Sequence, residues 1–196
     1  MPVVPVHDAG PQERGDAARN RALLLDAARR LVDERGAEAV TTDDIAAAAG
    51  VGKGTLFRRF GSRAGLMIVL LDEDEKALQH AFLFGPPPLG PGAPPLQRLI
   101  AYGRERLKFA DTHYALLSDV GRDPGMRYNA PMMLHHSHIR WLLDSAGTTG
   151  DLDAQASAMM ALLDADYVHH RLTEEGRTLA DMGDAWETVA RKLCGS

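Results

Sequence analysis

The spacing of apolar residues constrains the fold of this chain more than any other feature of its sequence. In the segment 19–35, Leu24, Ala28 and Leu31 recur at intervals of four and three, which places them along one face of an α-helix. The same spacing returns in segments that extend to Leu193, whereas the apolar–polar alternation typical of β-strands is almost absent. The sequence therefore predicts an all-α protein of about nine helices.

Composition and charge limit the classes of protein to which the chain can belong. The single cysteine, Cys194, cannot form a disulfide within the chain, which fits a reducing cytoplasm. No apolar run approaches the roughly 20 residues that a membrane helix requires, and the first residues lack the basic and apolar blocks of a secretory signal. Because the net charge is −5, binding to a nucleic acid requires a local basic surface.

The segment GVGKGT, residues 50–55, has the composition of a phosphate-binding loop but not its spacing. Such a loop needs glycine at position 47 and serine or threonine at position 54, and these positions hold Ala47 and Gly54. An Ala-rich helical segment precedes it, where the loop requires a strand. The alternative is a helix-turn-helix, in which two short helices meet at a Gly-containing turn and the second helix enters the major groove of DNA.

Local signals set the bounds of these two short helices. Thr41 followed by Asp44 forms the pattern of a capping box and opens a short Ala-rich helix, which we predict from Ile45 to Ala49. The second helix is predicted over residues 53–60. Its outer face and the residue just beyond it carry four cations with no acidic residue among them, namely Lys53, Arg58, Arg59 and Arg63.

Residues 41–67, TTDDIAAAAGVGKGTLFRRFGSRAGLM, resemble the DNA-binding segment of the TetR family of transcriptional regulators. The resemblance covers about residues 19–70, including the preceding helix. It implies that Thr42 contacts a phosphate and that Lys53, Gly54 and Thr55 face base edges. The full set of DNA-binding residues that it implies is Thr42, Gly52, Lys53, Gly54, Thr55, Phe57, Arg58, Arg59 and Arg63.

Several positions depart from the usual pattern of that family. Phe57 stands where tyrosine is usual, so a hydroxyl contact to a phosphate is lost while the ring can still pack. Gly52 replaces a frequent serine and is a weaker helix cap. Arg59 replaces a frequent histidine, and Arg63 matches a common lysine that holds the DNA backbone. The sequence does not separate phosphate contacts from guanine reading for Arg58 and Arg59.

The back half fits the family only in general character. The resemblance implies a dimer interface formed by the last two helices, here about Leu152–Thr173 and Asp181–Leu193, and a small-molecule pocket. Candidate pocket residues come from apolar faces with polar groups beside them. They are Phe109, His113, Leu117, Met126, Tyr128, Met132, His136, Trp141, Met159, Asp166, Tyr167 and His170.

Two groups of residues suggest metal sites, and we favour simpler interpretations. His135, His136 and His138 have no cysteine or glutamate at a recognisable zinc spacing, so we read them as partly buried or pocket-lining. The acidic run of residues 72–75 points in different directions around a helix and is interpreted as a solvated face. Asp164 and Asp166 interrupt an apolar segment and would need partners if they were buried. No metal site and no cofactor are predicted.

These observations predict three parts: a flexible N-terminal arm at residues 1–18, a three-helix DNA-binding domain at 19–65, and a helical ligand-binding and dimerisation domain at 66–196. The predicted function is that of a cytoplasmic, homodimeric regulator, a repressor that a small-molecule inducer releases from a palindromic double-stranded DNA operator. A helical interaction protein without DNA binding, or an enzyme, is the alternative. No nucleophile–base spacing and no intact cofactor loop favours an enzyme, and no membrane partner is expected.

Overall fold

The computed structural model describes residues 11–121 and 130–195, and all regular structure within them is helical. The predicted all-α class is confirmed. The described residues form ten α-helices and one short 3-10 helix at Ala37–Ala39. The α-helices are α1 Pro11–Arg35, α2 Thr42–Ala48, α3 Lys53–Phe60, α4 Arg63–Phe84, α5 Pro95–Thr112, α6 Tyr114–Gly121, α7 Ala130–Ser145, α8 Leu152–Ala161, α9 Ala165–Thr173 and α10 Leu179–Leu193.

The chain divides into two compact units, Met1–Asp72 and Glu73–Ser196. The division lies inside α4, whereas the sequence placed the domain boundary at residues 65 and 66. Helix α1 begins at Pro11, so residues 11–18 of the predicted flexible arm are helical, and the rest of that arm lies outside the described residues.

The first unit has its core where the apolar stripe of α1 meets the helix-turn-helix. Leu24 and Ala28 of α1 are fully buried, together with Ile45 of α2 and Leu56 of α3. Gly36 ends α1 with a φ of 79°, a conformation that glycine adopts without steric cost. Local helix signals and core packing therefore agree in this unit.

The second unit is centred on α5, against which α10 packs closely. The indole N–H of Trp186 in α10 donates a 2.9 Å hydrogen bond to the carbonyl of Leu99 in α5. A Cβ atom at Gly103 would collide with the Trp186 ring, so the absence of a side chain there allows the two helices to approach. This contact places the largest buried side chain of the unit at the α5–α10 interface.

The predicted single helix over Leu152–Thr173 is two helices, α8 and α9. Asp164 separates them because its Oδ1 accepts hydrogen bonds from the backbone N–H groups of Asp166 and Tyr167, both at 3.1 Å, and so caps α9. Asp164 and Asp166 are both exposed, so neither needs the buried partner that the sequence suggested. The last two helices are consequently α9 and α10.

Candidate functional site

The turn between α2 and α3 has the geometry of a helix-turn-helix. The predicted capping box is present, since the Asp44 backbone N–H donates to the Thr41 hydroxyl at 3.2 Å and the Thr41 N–H donates to the Asp44 carboxylate at 3.0 Å. The hydrogen bond from the Thr41 side chain, followed by that from its backbone, lowers the pKa of Asp44. Gly50, with a φ of 66°, then reverses the chain toward α3.

Helix α3 buries one side and exposes the other. Leu56 is fully buried in the core of the first unit, whereas the exposed side chains of α3 are Lys53, Phe57, Arg58 and Arg59. Thr55 is half-buried. A Cβ atom at Gly52 or Gly54 would have no neighbour within 4 Å. The start of α3 therefore presents open backbone and an exposed basic surface.

The cations of this surface differ in whether they already have a partner within the protein. Among the described residues, Arg58 and Arg59 form no hydrogen bond or ion pair and are exposed. Lys53 is paired, with its Nζ 2.6 Å from Oδ1 of Asp43 in α2. Sequence reasoning did not identify Asp43, because its ten-residue separation from Lys53 in sequence gives no sign of a contact.

Arg63 has an intramolecular role that the sequence did not reveal. Its Nε donates a 2.8 Å hydrogen bond to the carbonyl of Val40, and one Nη donates to the carbonyl of Ala37. These bonds tie the start of α4 to the segment between α1 and α2. The predicted phosphate contact of Arg63 thus competes with a role in holding the motif together. Thr42 is half-buried as the first residue of α2.

The predicted pocket residues are spread over the second unit. Phe109 and Met159 are buried, Leu117 and Met132 are half-buried, and Asp166 and His170 are exposed. Met126 and Tyr128 lie outside the described residues. A cavity of about 180 Å³ lies between α5, α9 and α10, and Tyr167 is the one predicted residue among its lining. The other lining residues are Leu107, Leu162, Arg171, Arg177, Asp181, Met182, Ala185, Trp186 and Val189.

The remaining polar candidates have protein partners. Nε2 of His113 lies 3.0 Å from the Asp74 carboxylate. Nε2 of His136 lies 3.1 Å from the Ser157 hydroxyl. The Trp141 ring, half-exposed, stacks below the guanidinium of Arg98 at 5.0 Å. Among the described residues, the predicted pocket residues Phe109 and His113 are brought together, with their rings stacked at 4.3 Å, whereas Tyr167 is the one that lines the cavity.

A buried polar network in the second unit was missed by sequence reasoning. The Glu75 carboxylate lies 2.5 Å from Nε2 of His135 and 3.1 Å from Nη1 of Arg106. Because a carboxylate only accepts, Nε2 of His135 is the donor, and its Nδ1 accepts from the Tyr102 hydroxyl at 2.7 Å. The interpretation of residues 72–75 as a solvated face is wrong for Glu75, and also for Asp74, which pairs with His113.

The electrostatics of this network follow from its burial and its pairing. Burial raises the pKa of Glu75, but the hydrogen bond and charge of His135 and the charge of Arg106 outweigh it and lower the pKa to about 2. Burial lowers the pKa of His135 and raises that of Tyr102. His138, also buried, has its pKa lowered to about 4 by burial and then by the charge of Arg98. Glu75 is therefore ionised and His138 neutral at pH 7.

Two further observations concern metals and membranes. Within residues 11–121 and 130–195, no group of three or more metal-binding side chains is placed to hold an ion. No helix in the same ranges is both long and apolar enough to cross a membrane.

Comparison with known proteins places the helix-turn-helix in a family. Residues 24–70 match the family model described as bacterial regulatory proteins, tetR family. HTH-type transcriptional regulators of Staphylococcus aureus are 36% identical over 61 residues, which are 31% of this chain. The match spans 33% of the length of those relatives.

Solved structures resemble the whole fold. A TetR-family transcriptional regulator from Pectobacterium atrosepticum aligns with a TM-score of 0.69 at 22% identity, covering 92% of this chain and 96% of that protein. A transcriptional regulator from Saccharomonospora viridis, in complex with choline, aligns with a TM-score of 0.67 at 18% identity, covering 87% and 95%. These similarities show the fold.

The family match covers residues 24–70, which contain the helix-turn-helix, whereas the structural similarity covers 92% of the chain. The family and these relatives are regulators and not enzymes, in agreement with the prediction made from the sequence. Residues 24–70 of the chain are therefore similar to the TetR family of bacterial regulatory proteins.

Proposed function

We propose that the chain is a DNA-binding transcriptional regulator that reads its operator with α3. The observation that carries the proposal is the pair Arg58 and Arg59, which are exposed on the second helix of a helix-turn-helix and engage no protein partner among the described residues. Two free guanidinium groups on a helix that fits the major groove are suited to phosphates or to the O6 and N7 atoms of guanine.

The backbone at the start of α3 supports the same role. Gly52 caps the helix without a side-chain hydrogen bond, so the first N–H groups of α3 are open to an acceptor. Free N–H groups at a helix N-terminus suit a phosphate oxygen. Because the space that a Cβ atom of Gly54 would enter is open for 4 Å, a base pair can approach the helix closely. Thr42, the first residue of α2, and Thr55, the third residue of α3, add hydroxyl groups.

We test the DNA-binding role with the purified chain and fragmented genomic DNA, sequenced after enrichment at moderate salt. Fragments that share an inverted repeat would establish a sequence-specific dimer. Retained DNA without a shared sequence would mean that only the non-specific electrostatic contribution operates. Failure to retain DNA, both before and after unfolding and refolding to remove a co-purified ligand, would refute the proposal.

Arginine substitutions then assign roles on the enriched sequence. Arg58→Ala or Arg59→Ala should cost about 1–3 kcal/mol at one base position if the side chain reads a base. A phosphate contact would instead weaken binding to all sequences and flatten the salt dependence. Arg30→Ala, which removes an exposed cation from α1, is the matched control. Wild-type affinity in both α3 variants would refute the assignment of α3.

We further propose that the regulator is a homodimer, assembled through its final helices, on a palindromic operator. Helix α10 buries Met182 and Trp186 against its own unit and leaves Ala185 and Thr188 exposed. Ala185 also lines the cavity between α5, α9 and α10, and this recess beside the exposed face supports contact with a second copy. Sedimentation should show a dimer, Ala185→Glu should shift it toward the monomer, and Ser137→Glu on α7 should not. A monomeric wild type would contradict this proposal.

The last part of the proposal is repression that a small molecule relieves. In such a repressor, operator binding and inducer binding are coupled. An inducer that weakens binding to the operator is therefore itself bound more weakly when the operator is bound. The Saccharomonospora viridis protein was solved in complex with choline, which supports the proposal that this chain also binds a small molecule. DNA as a partner also supports the predicted cytoplasmic location. A compound that stabilises the protein in a thermal-shift screen but leaves operator affinity unchanged is no inducer.

A further inference from the structure

The ion pair between Asp43 and Lys53 lies where the proposed DNA interface begins. Asp43 is in the first turn of α2, and its Oδ1 is 2.6 Å from Nζ of Lys53, the first residue of α3. Both side chains are more than half exposed, at 68% and 53%. The charge of Lys53 is therefore balanced by that of Asp43, whereas Arg58 and Arg59 are exposed cations without an ion-pair partner among the described residues.

This pairing affects which acceptors Lys53 can bind. An ammonium group has three N–H donors, and the contact with Asp43 occupies one direction around Nζ. The other donors can reach a neutral acceptor, such as O6 or N7 of guanine, while the pair stays intact. A phosphate oxygen is negatively charged, so the carboxylate of Asp43 repels it when it approaches Nζ of Lys53. The pair therefore favours base edges over phosphates.

We infer that Asp43 is a specificity-determining residue that keeps Lys53 from non-specific phosphate binding and directs its ammonium group to the base edges of the operator. The inference rests on the proposed DNA-binding function. A phosphate contact adds affinity at every site in a genome, so suppressing one raises the ratio of operator to non-specific binding. Asp43 acts through Lys53 as a positioning residue and needs no DNA contact of its own.

Asp43→Asn tests the inference, because it removes the charge and keeps the shape of the side chain. Affinity for the enriched operator and for a random duplex is measured by fluorescence anisotropy over a series of salt concentrations. We expect random-duplex affinity to rise several-fold, and the slope of log affinity against log salt to steepen by about 0.9 for each bound copy of the chain. We expect operator affinity to rise less than random-duplex affinity, or to fall, so the ratio of operator to random-duplex affinity decreases.

Four further variants separate this effect from a general change in charge. Asp26→Asn removes an exposed acid from α1 in the same unit and should leave the salt slope near that of the wild type. Asp43→Glu restores the carboxylate and should restore discrimination. In a Lys53→Gln background, Asp43→Asn should have no further effect, since a double-mutant cycle measures only coupled residues. Circular dichroism checks the helix content of each variant, with Asp43→Ser as a second neutral substitution.

The outcomes are distinct. The inference is overturned if Asp43→Asn behaves like Asp26→Asn, if its effect persists without Lys53, or if it weakens binding to both duplexes. A wild-type chain that binds no DNA overturns the proposed function as well. Wild-type binding with unchanged discrimination in Asp43→Asn overturns this inference alone.

Discussion

Replacing Glu75 by glutamine removes the one carboxylate of the buried network in the second unit and keeps its shape. Arg106 is 4% exposed and Glu75 13% exposed, so the lost charge leaves a guanidinium without its partner in a poorly solvated place. The pKa of Glu75 falls from its ordinary value of 4.5 to about 2 in the folded protein. At about 1.4 kcal/mol per pH unit, the ionised form stabilises the unit by about 3 kcal/mol at pH 7.

The pH dependence of this loss is the sharper part of the prediction. A group whose pKa is lowered by folding stabilises the protein above its unfolded pKa, and that stability is lost as the pH falls toward the folded pKa. For Glu75 this range runs from pH 4.5 to about 2. By pH 3.5 about 1.4 kcal/mol of the contribution should be lost. The difference between wild type and Glu75→Gln should therefore shrink from about 3 to about 2 kcal/mol.

Urea unfolding followed by tryptophan fluorescence measures this difference in the relevant unit. Both tryptophans of the chain, Trp141 and Trp186, lie in the second unit, so their emission reports on that unit. Glu105→Gln is the matched control, since its ion pair with Lys108 is exposed and should be worth less than about 0.5 kcal/mol. A cost below about 1 kcal/mol for Glu75→Gln at pH 7, or an equal cost at pH 3.5, would refute the reasoning.

Three other tests probe separate parts of the structure, the first of them with a control substitution. Gly103→Ala forces a methyl group into the ring of Trp186 and should lower the free energy of unfolding by about 3 kcal/mol in the same fluorescence assay. Its control is Gly183→Ala, whose methyl group meets only a movable arginine side chain and should change stability little. Thr41→Ala removes the cap of α2 and should speed hydrogen exchange of its first amides by an amount equivalent to about 1 kcal/mol. His138 is buried and neutral, with a pKa of about 4, so the unfolded chain binds a proton at this residue more readily than the folded protein does. The free energy of unfolding of the wild type should therefore fall by up to about 3 kcal/mol as the pH falls from 6.5 to 4. An unchanged pH profile in His138→Phe would contradict this.

The sequence by itself determined the helical class and the helix-turn-helix of this protein. The signals that define this motif are local: the cap of Thr41 and Asp44 spans three residues, and the bounds of α3 follow from Gly52 and Gly61 on either side. Short-range hydrogen bonds and glycine conformations depend little on the rest of the chain. For the same reason Lys53–Phe60 was predicted to the residue.

The tertiary structure alone decided which charged groups are free. The partners of Arg63 and Glu75 lie 23 and 60 residues away in sequence, and they meet only after helices have docked at a particular angle and rotation. Successive residues of a helix point in different directions, so the run at residues 72–75 did not reveal which acid would face the core. The burial and pairing of charges depend on contacts between helices, and helical periodicity along one segment does not contain that information.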